Sequence, residues 1–478
     1  MDLRLDLTSA RHEGGKRERL MRALREAVTD GRLASGTRLP SSRSLAADLG
    51  VARNTVSGAY AELTAEGWLV TRQGSGTRVA RRAGIGKAFA APRVPQGPAA
   101  APQRRAAPRH NLVPGTANAS SFPRSEWLRS ARRALTAAPS EAFGPGDPQG
   151  RTELRETLAG YLARARGVRT TPDRVVVCAG FAHGLRLLSG LAQGPVAVEE
   201  YGLGHHRTLL SSAGLHTVVL PVDQAGAVTG PLTASGARTV LLTPAHQFPT
   251  GGPLEPARRA AVIDWARSVD GLVLEDDYDG EFRYDRQPVG ALQSLDPERA
   301  VYLGTVSKSL SPALRLGWMV LPRHLVPRVL AAKGERELRT SILEQLTLAD
   351  FMGCGAYDRH VRRMRRRYQS RRDQLRAALE QWVPEVRVSG IAAGLHAVLD
   401  LPDGTEDRML AAAARHDVAV RGLGAYRTPD SPGAAPRDGL VVGYGTPPDH
   451  GFPAAVSALC QALREGLGHR PGDARPDR

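Results

Sequence analysis

The pattern of apolar positions in residues 15–79 predicts three helices followed by a hairpin. The apolar positions of the first helix lie three and four residues apart and are Leu20, Leu24, Ala27 and Val28. Gly31 ends this helix. In the second helix, within LPSSRSLAADLG, Ser41 or Ser42 can cap the first turn and Gly50 suits the left-handed position after the last turn.

The third predicted helix, RNTVSGAYAELTAEG, begins near Arg53 and ends at Gly67. Its buried stripe consists of Val56, Tyr60 and Leu63. The next segment, WLVTRQGSGTRVA, alternates around Gly74-Ser75-Gly76, which predicts a two-stranded wing. Two short helices joined by a tight turn and followed by a wing indicate a winged helix-turn-helix, in which the last helix enters the major groove of DNA.

This module offers side chains that suit DNA. The start of the third helix carries Arg53, Asn54, Thr55 and Ser57, and the wing carries Arg72, Gly76 and Arg78. Arginine pairs with guanine, and asparagine with adenine, through two hydrogen bonds each. Arg43, at the start of the second helix, is placed to bind a phosphate. A small helical protein-binding domain with solvated arginines is the alternative interpretation.

Composition divides the chain into parts. Residues 81–110 are rich in Ala, Pro and Arg and carry 7 basic and no acidic side chains. This short segment therefore holds a large share of the net charge of +17 of the 478-residue chain. Such a segment is typical of an extended linker, and its cations suit either solubility or nucleic acid. We therefore predict a DNA-binding domain over 1–80, a flexible linker over 81–111, a body over 112–466 and a disordered tail over 467–478.

Beyond the linker, short apolar runs alternate with helix-like segments such as LEPARRAAVIDWARSV. The apolar runs are 175–178, 196–198, 240–242, 272–274 and 301–303. This alternation predicts a mainly parallel sheet with helices on both faces. Ligands of such sheets bind at the carboxyl ends of the strands.

Polar chemistry follows several of these runs. The residues concerned are Gly180, Phe181 and Ala182 after the first run, Asp276 and Tyr278 after the fourth, and Thr305, Ser307, Lys308 and Arg315 after the fifth. A lysine forms a Schiff base with an aldehyde, and a carboxylate keeps a pyridine nitrogen protonated. A tyrosine hydroxyl can bind the ring oxygen, while an arginine, hydroxyls and helix amides bind a phosphate. Each signal is weak by itself, but together they predict a pyridoxal 5'-phosphate (PLP) site.

Two longer stretches resemble known families. The segment GRLASGTRLPSSRSLAADLGVARNTVSGAYAELTAEGWLVTRQGSGTRVA, within residues 16–80, closely resembles the DNA-binding domain of GntR-family bacterial regulators. Residues 112–465 are similar to fold-type I aminotransferases in the form fused to GntR domains, the MocR-like regulators. The segments that carry this second resemblance include FGPGDPQGRTELRETLAGYLARARGV, TPAHQFPTGGPLEPARR, LEDDYDGEFRYD and VSKSLSPALRLGW.

The resemblance implies a multidomain fold. A small α+β winged helix-turn-helix is joined by the linker to an α/β fold-type I PLP-dependent aminotransferase-like body with a smaller C-terminal α+β subdomain. It also implies a homodimer, and the linker is long enough for a domain-swapped one.

The resemblance also implies roles for single residues. Lys308 would form the Schiff base, Asp276 would pair with the pyridine nitrogen and Tyr278 with the ring oxygen. The phosphate would be bound by Arg315, Thr305, Ser307 and the turn of Gly180, Phe181 and Ala182. Tyr201 would lie near the ring or the site of a partner subunit.

The chain departs from the aminotransferase pattern in three places. Phe248 stands where an asparagine usually contacts the ring oxygen, and Phe181 stands where a hydroxyl is common. The strand near 439–445 lacks the arginine that binds a substrate carboxylate in many relatives. Either Arg421 or Arg437 serves instead, or the effector is not a simple amino acid. The run 359–372, with eight arginines, predicts an amphipathic helix with a basic face, with a supplementary DNA contact as the alternative.

The sequence thus favours a transcriptional regulator that binds operator DNA, PLP and a small amino-compound effector, with PLP itself as another possible effector. A working aminotransferase with an accessory DNA-binding module is the alternative.

The three cysteines match no disulfide framework or metal motif. Neither a signal peptide nor a membrane-spanning stretch is apparent, and we expect a cytoplasmic protein without a membrane partner.

Overall fold

The computed structural model describes residues 15–72, 76–81, 108–115, 117–284, 289–334, 340–429, 431 and 437–469. The chain divides into two compact units, residues 1–104 and 105–478. Most of the predicted linker, all of the predicted tail beyond residue 469, and the wing tip at Gly74 and Ser75 lie outside the described residues.

The N-terminal unit has the predicted winged helix-turn-helix elements. They are α1 (Lys16–Thr29), α2 (Ser42–Leu49), α3 (Arg53–Ala65), β1 (Leu69–Arg72) and β2 (Gly76–Val79), with β1 and β2 antiparallel. Ser41 caps α2 by accepting a hydrogen bond from Ser44 N, and Gly50 follows the helix with a φ of 62°. Val56, Tyr60 and Leu63 are buried in the core, as predicted. Local sequence signals therefore specified this unit correctly.

The body contains ten helices and fifteen strands among its described residues. Its first half comprises β3 (His110–Asn111), α4 (Arg124–Ala137), α5 (Thr152–Arg166), β4 (Val175–Cys178), α6 (Phe181–Ser189), β5 (Val196–Glu199), α7 (Gly204–Ser212), β6 (Thr217–Leu220), β7 (Val222–Asp223), β8 (Gly226–Ala227), β9 (Thr239–Leu242), α8 (Pro256–Ser268) and β10 (Leu272–Asp276). The second half comprises β11 (Ala300–Thr305), β12 (Gly317–Val320), α9 (Val326–Lys333), α10 (Ile342–Gly353), α11 (Ala356–Trp382), β13 (Arg387–Ser389), β14 (His396–Asp400), α12 (Glu406–Arg415), β15 (Val418–Ala419), β16 (Arg421–Gly422), β17 (Gly439–Gly443) and α13 (Phe452–Leu467).

A seven-stranded sheet organises the body, in the order β4-β12-β11-β10-β9-β5-β6. Only β12 runs antiparallel to its neighbours, so the sheet is mainly parallel, as predicted. Alternate residues of β4 pack into different cores: Val175 and Val177 join one cluster, while Val176 and Cys178 join another. Because successive side chains of a strand point to opposite faces, this split means that helices cover the sheet on both sides.

The smaller subdomain is built on the four-stranded sheet β13-β14-β17-β16. Its core joins this sheet to α12, α13 and the second half of α11. Strand β3 pairs in parallel with β15, at His110 with Val418 and Asn111 with Ala419. The two paired residues of β3 lie inside the segment that we assigned to the linker, so ordered pairing with the body begins before residue 112.

The arginine run lies on α11, which has 27 residues, and the prediction of a long amphipathic helix is confirmed. Met364 and Tyr368 are buried. Arg371, also buried, donates to the Tyr444 carbonyl, and Arg365 donates to the Glu281 carbonyl. Part of the run therefore holds the body together, while the DNA contact stays a prediction.

Two of the three cysteines, Cys178 and Cys460, are buried, whereas Cys354 is exposed. Among the residues that the structure describes, no helix combines the length and apolar character needed to cross a membrane.

Candidate cofactor pocket and DNA-binding surface

A cavity of about 430 Å³ opens at the carboxyl ends of the central strands. Its lining includes all ten residues that the sequence assigned to cofactor binding: Gly180, Phe181, Ala182, Tyr201, Asp276, Tyr278, Thr305, Ser307, Lys308 and Arg315. Parallel strands bring these residues together because their carboxyl ends lie at one edge of the sheet. The fold thus unites groups that are up to 135 positions apart in the chain, while their individual roles stay predictions.

Asp276 is the last residue of β10 and lies on the cavity wall with 6% of its surface exposed. Its Oδ1 has no hydrogen-bond partner among the described residues. Burial, with a further contribution from Asp277, raises the pKa of the Asp276 carboxyl well above its usual range. A buried carboxylate oxygen without a donor is costly, so this site favours a ligand that brings a proton or a positive charge.

The neighbouring residue Asp277 anchors the turn that carries Asp276 and Tyr278. Arg166 binds Asp277 through two contacts, Nε to Oδ2 at 2.6 Å and Nη2 to Oδ1 at 3.0 Å, and both side chains are buried. The Tyr302 hydroxyl donates to Asp277 Oδ2 at 2.6 Å. This paired and hydrogen-bonded carboxylate keeps the strand end in place.

Lys308 lies three residues after β11 and is half-buried. Its Nζ donates to the Gly115 carbonyl. Burial lowers the pKa of the Lys308 amine, and the nearby charge of Asp276 opposes this shift. A lowered pKa increases the fraction of neutral amine, which is the nucleophilic form.

The predicted phosphate end of the cavity is rich in donors. Ser307 Oγ lies 2.8 Å from Thr305 Oγ1, and Gly180 precedes α6 with a φ of 92°. The first turn of α6 therefore presents backbone amides of Phe181 and Ala182 to the cavity. Arg315 is exposed and has a φ of 51°, a strained conformation for a residue with a side chain. Such strain is common at ligand sites, and this arrangement suits an anion.

Tyr278 lies beside a buried pair that the sequence did not single out as functional. Its hydroxyl oxygen is 3.0 Å from His246 Nδ1, and the same nitrogen is 2.9 Å from Asp279 Oδ2. The Phe248 ring meets the Tyr278 ring edge-on at 5.7 Å between centroids. The departure noted at Phe248 therefore places an apolar ring next to Tyr278.

Sequence reasoning also missed Arg207, which lines the cavity from α7. Its two hydrogen bonds, to the carbonyls of Gly202 and Arg427, are both 3.5 Å long, and burial lowers the pKa of the guanidinium. Arg421 and Arg437, which the sequence offered for a carboxylate, are both exposed and do not line the described cavity. The polar run that follows β5 contains both Tyr201 and Arg207, and the sequence prediction names only Tyr201.

Two histidines on the cavity wall are held in the neutral form. Burial lowers the pKa of both His206 and His396 to about 3. The ring of His206 lies 4.5 Å from that of Phe181, between centroids. Tyr201 is buried, and its carbonyl accepts a hydrogen bond from Gln247 Nε2 at 2.9 Å. These groups shape the cavity without adding charge.

The predicted DNA-binding side chains form an exposed set on the N-terminal unit. Thr55 is half-buried, and the other seven are exposed: Arg43, Arg53, Asn54, Ser57, Arg72, Gly76 and Arg78. Arg78 Nη1 donates to the Gly36 carbonyl at 3.1 Å, so this arginine also ties the wing to the loop before α2. Their contacts with DNA stay predictions.

One observation supports the fit of PLP to the cavity without relying on any sequence resemblance. The unpartnered Oδ1 of Asp276 needs a donor, and a protonated pyridine nitrogen is such a donor. Lys308 supplies an amine with a lowered pKa, and the turn before α6 offers amides for a phosphate. The residues present therefore match the donor and acceptor pattern of this cofactor.

Replacing Asp276 by asparagine should stabilise the cofactor-free protein and weaken PLP binding. The raised pKa means that the charged carboxylate opposes folding above its unfolded pKa of about 3.9, so the variant's gain should be larger at pH 7 than at pH 5. Removing a buried unsatisfied charge is worth about 1–3 kcal/mol. Melting curves of the two proteins and a PLP titration would measure these effects.

The exposed Asp264 on α8 provides a matched control, because Asp264→Asn should change neither quantity. An Asp276→Asn protein with unchanged PLP affinity would contradict the role of Asp276.

Comparison with protein families divides the chain in the same way. Residues 16–79 match the family described as "Bacterial regulatory proteins, gntR family". Residues 115–433 match the family "Aminotransferase class I and II". One match falls within each of the two units of the structure.

Individual proteins resemble the chain over most of its length. The pyridoxine biosynthesis transcriptional regulator PdxR of Corynebacterium glutamicum is 32% identical, over 89% of this chain and 91% of its own. The probable rhizopine catabolism regulatory protein MocR of Rhizobium meliloti is 34% identical, over 89% of each chain. Among solved structures, a kynurenine aminotransferase of Pyrococcus horikoshii in complex with PMP is similar with a TM-score of 0.67 and 25% identity, over 75% of this chain and 91% of its own.

Proposed function

Because the chain belongs to the GntR family of HTH-type transcriptional regulators, in the MocR-like form that carries an aminotransferase-like domain, we propose that a small amino compound acts at its cofactor pocket to change its binding to operator DNA. The N-terminal unit would bind the DNA. The body would hold PLP through Lys308, Asp276, Tyr278, Arg315 and neighbouring residues. When bound, PLP supplies an aldehyde that reacts with amines and a ring that withdraws electrons.

The observation that carries this coupling is a contact between the cavity and the segment where the body begins. Lys308 Nζ donates to the Gly115 carbonyl, and Gly115 lies four residues after β3. The amine expected to react is therefore the same amine that holds this segment. A lysine nitrogen engaged in a covalent bond has fewer N–H groups to donate, so its chemical state changes how Gly115 is held.

The same segment is attached to the smaller subdomain. Gly443 N donates to the Leu112 carbonyl at 2.7 Å, and Thr446 Oγ1 donates to the Val113 carbonyl at 2.9 Å. Together with the pairing of β3 and β15, these bonds join residues 110–113 to the smaller subdomain, while the contact of Gly115 with Lys308 joins the same segment to the larger part of the body. A change at Lys308 thus has a short, hydrogen-bonded route to the residues that follow the linker.

Arg207 bears on the chemistry of the effector. Its guanidinium faces the cavity with only two long hydrogen bonds, and no acidic side chain of the described residues lies within ion-pair distance of it. Guanidinium groups bind carboxylates strongly, so we propose an effector that carries both an amine and an anionic group, such as an amino acid. The Corynebacterium relative is named as a regulator of pyridoxine biosynthesis, which keeps PLP itself as a second candidate effector.

The proposal is tested by measuring DNA binding in three states of the full chain. DNA fragments captured from a random pool would first supply the operator, and its dissociation constant would then be measured without PLP, with PLP, and with PLP plus amino acids. We expect at least one step to change the constant by about fivefold or more, the range of ordinary coupling energies. The effector must bind the two states of the protein differently to achieve this.

Controls separate the possible outcomes. Amines that lack the carboxylate should act more weakly than the matching amino acids, and Arg207→Gln should remove that difference. Equal DNA binding in all states, with steady turnover of amino and keto acids, would instead support an aminotransferase.

Sedimentation of the full chain would test the proposed homodimer, which a monomer would contradict.

A further inference from the structure

We propose that His246, oriented by Asp279, is a positioning residue that directs the hydroxyl proton of Tyr278 into the cofactor pocket. The inference rests on the proposed function only in that PLP is the group to which Tyr278 would donate. It assigns a role to two buried residues outside the set predicted for the cofactor.

The geometry places one nitrogen between two oxygens. His246 Nδ1 lies 2.9 Å from Asp279 Oδ2 and 3.0 Å from the hydroxyl oxygen of Tyr278. The side chains of His246 and Asp279 are 4% and 2% exposed, so water does not compete for these bonds. Tyr278 is half-buried and lines the cavity.

Hydrogen-bond chemistry determines which atom carries the proton. An ionised carboxylate only accepts, so the Nδ1 that meets Asp279 must carry a hydrogen. That N–H is then shared with the hydroxyl oxygen of Tyr278, which acts as an acceptor. The tyrosine hydrogen cannot point back at Nδ1. The Asp279 carboxylate, which also shares a hydrogen bond with Tyr278, is then the acceptor on the protein side, and because it already accepts from His246, a cofactor oxygen in the cavity competes with it for that hydrogen. Asp279 and His246 thus make Tyr278 a donor toward the pocket.

The surroundings explain why such support is needed. At the position where the aminotransferase pattern has an asparagine amide, this chain has Phe248, whose ring packs edge-on against Tyr278. A phenyl ring offers no N–H to a ring oxygen. Tyr278 therefore lacks that polar neighbour. In the proposal, His246 and Asp279 orient its hydroxyl group instead.

The smaller subdomain closes over this pair. Gly394, with a φ of 74°, is packed so tightly that a Cβ atom there would lie 2.4 Å from His246 Cε1 and 2.6 Å from Asp279 Oδ2. The ring of His396, on β14, lies 5.3 Å from the ring of His246. Because both sides are filled, His246 has little freedom to rotate away from Tyr278.

Other titratable groups lie near this cluster and act on it electrostatically. Asp279, Asp276 and Tyr444 act electrostatically on Tyr278, and His246, Asp279 and Lys308 act on His396. Burial raises the pKa of the Tyr278 hydroxyl well above its usual range, which keeps it protonated as a donor. Of these acting groups, Asp279 alone bonds directly to His246 Nδ1.

The test follows the visible absorption band of the PLP-loaded full chain as a function of pH. A donor at the ring oxygen stabilises its negative charge and lowers the pH at which the band changes. Tyr278→Phe should therefore move that midpoint upward by about one to two pH units, as expected for a hydrogen bond to a charged group. His246→Leu and Asp279→Asn should each move it in the same direction by about half as much.

Two further variants make the result specific. Asparagine places an N–H near the position of the histidine Nδ1, so His246→Asn should retain most of the wild-type midpoint. In a Tyr278→Phe background, His246→Leu should cause no additional shift, because its effect passes through Tyr278. A shift of equal size in both backgrounds, or an unchanged midpoint in both His246→Leu and Asp279→Asn, would overturn the proposal.

Cofactor content separates this inference from the proposed function. PLP released by alkali from the wild-type protein should approach one equivalent per chain. If the wild type binds none, the proposed function and this inference both fail. If the wild type and the variants bind it equally and their midpoints agree, only the positioning role of His246 fails.

Discussion

Lys308→Ala is expected to abolish the visible absorption band of the PLP-loaded protein. Among the described residues, Lys308 is the lysine that lines the cavity, and burial gives its amine the lowered pKa that favours reaction with an aldehyde. Without it the cofactor would bind only through hydrogen bonds, and its affinity should fall by at least about a hundredfold, or about 2.7 kcal/mol. Absorption spectra and equilibrium dialysis would measure both effects.

The chain offers a matched control for this variant. Lys16, exposed at the start of α1, can be changed to alanine without touching the body, and Lys16→Ala should keep the band. Lys308→Ala should also make DNA binding insensitive to added PLP, because it removes the contact between Lys308 and Gly115 through which the cofactor would act. A persistent band in Lys308→Ala would show that another amine holds the cofactor.

Asn54→Ala is expected to weaken operator binding by roughly 5- to 150-fold. Asn54 is exposed in the first turn of α3, where a side chain of a helix-turn-helix reaches the base edges. A bidentate contact with a base is worth about 1–3 kcal/mol of discrimination, so the loss should fall on the operator and spare unrelated DNA. Anisotropy titrations with operator and scrambled duplexes would separate the two.

Two arginine variants sharpen this experiment. Arg43→Ala should weaken binding to all sequences alike and lower the salt dependence by about one ion, as expected for a phosphate contact. Arg32, which is exposed in the loop after α1, is ion-paired with Asp30 and is not among the predicted DNA-binding side chains, serves as the control, and Arg32→Ala should have little effect. If Asn54→Ala binds operator as the wild type does, α3 is not the reading helix.

Local signals explain why much of this molecule could be predicted. The cap at Ser41, the left-handed Gly50 and the buried stripe of α3 act within a few residues of one another. The apolar runs of the central strands are equally local, and β4 and β10 form where the sequence indicated. Because parallel strands end at one edge, the residues that follow them could be placed in one pocket before the structure was known.

The residues that were missed depend on contacts between distant segments. His246 and Asp279 are 33 positions apart, and nothing in the local pattern predicts that one nitrogen would lie between the carboxylate and Tyr278. The contact between Lys308 and Gly115 spans 193 positions. Arg421 and Arg437 carried the right chemistry, but the fold places them away from the described cavity lining.

The order of apolar and polar residues alone was sufficient to specify the two domains, the central strands and the lysine, aspartate, tyrosine and arginine at the strand ends. It could do so because helix periodicity, capping and strand alternation are properties of neighbouring residues. Which side chains face the cavity, which carboxylate lacks a partner and how the start of the body meets Lys308 were decided by packing. Those features follow from long-range burial and hydrogen bonding, which come into existence only when the sheet and the smaller subdomain assemble.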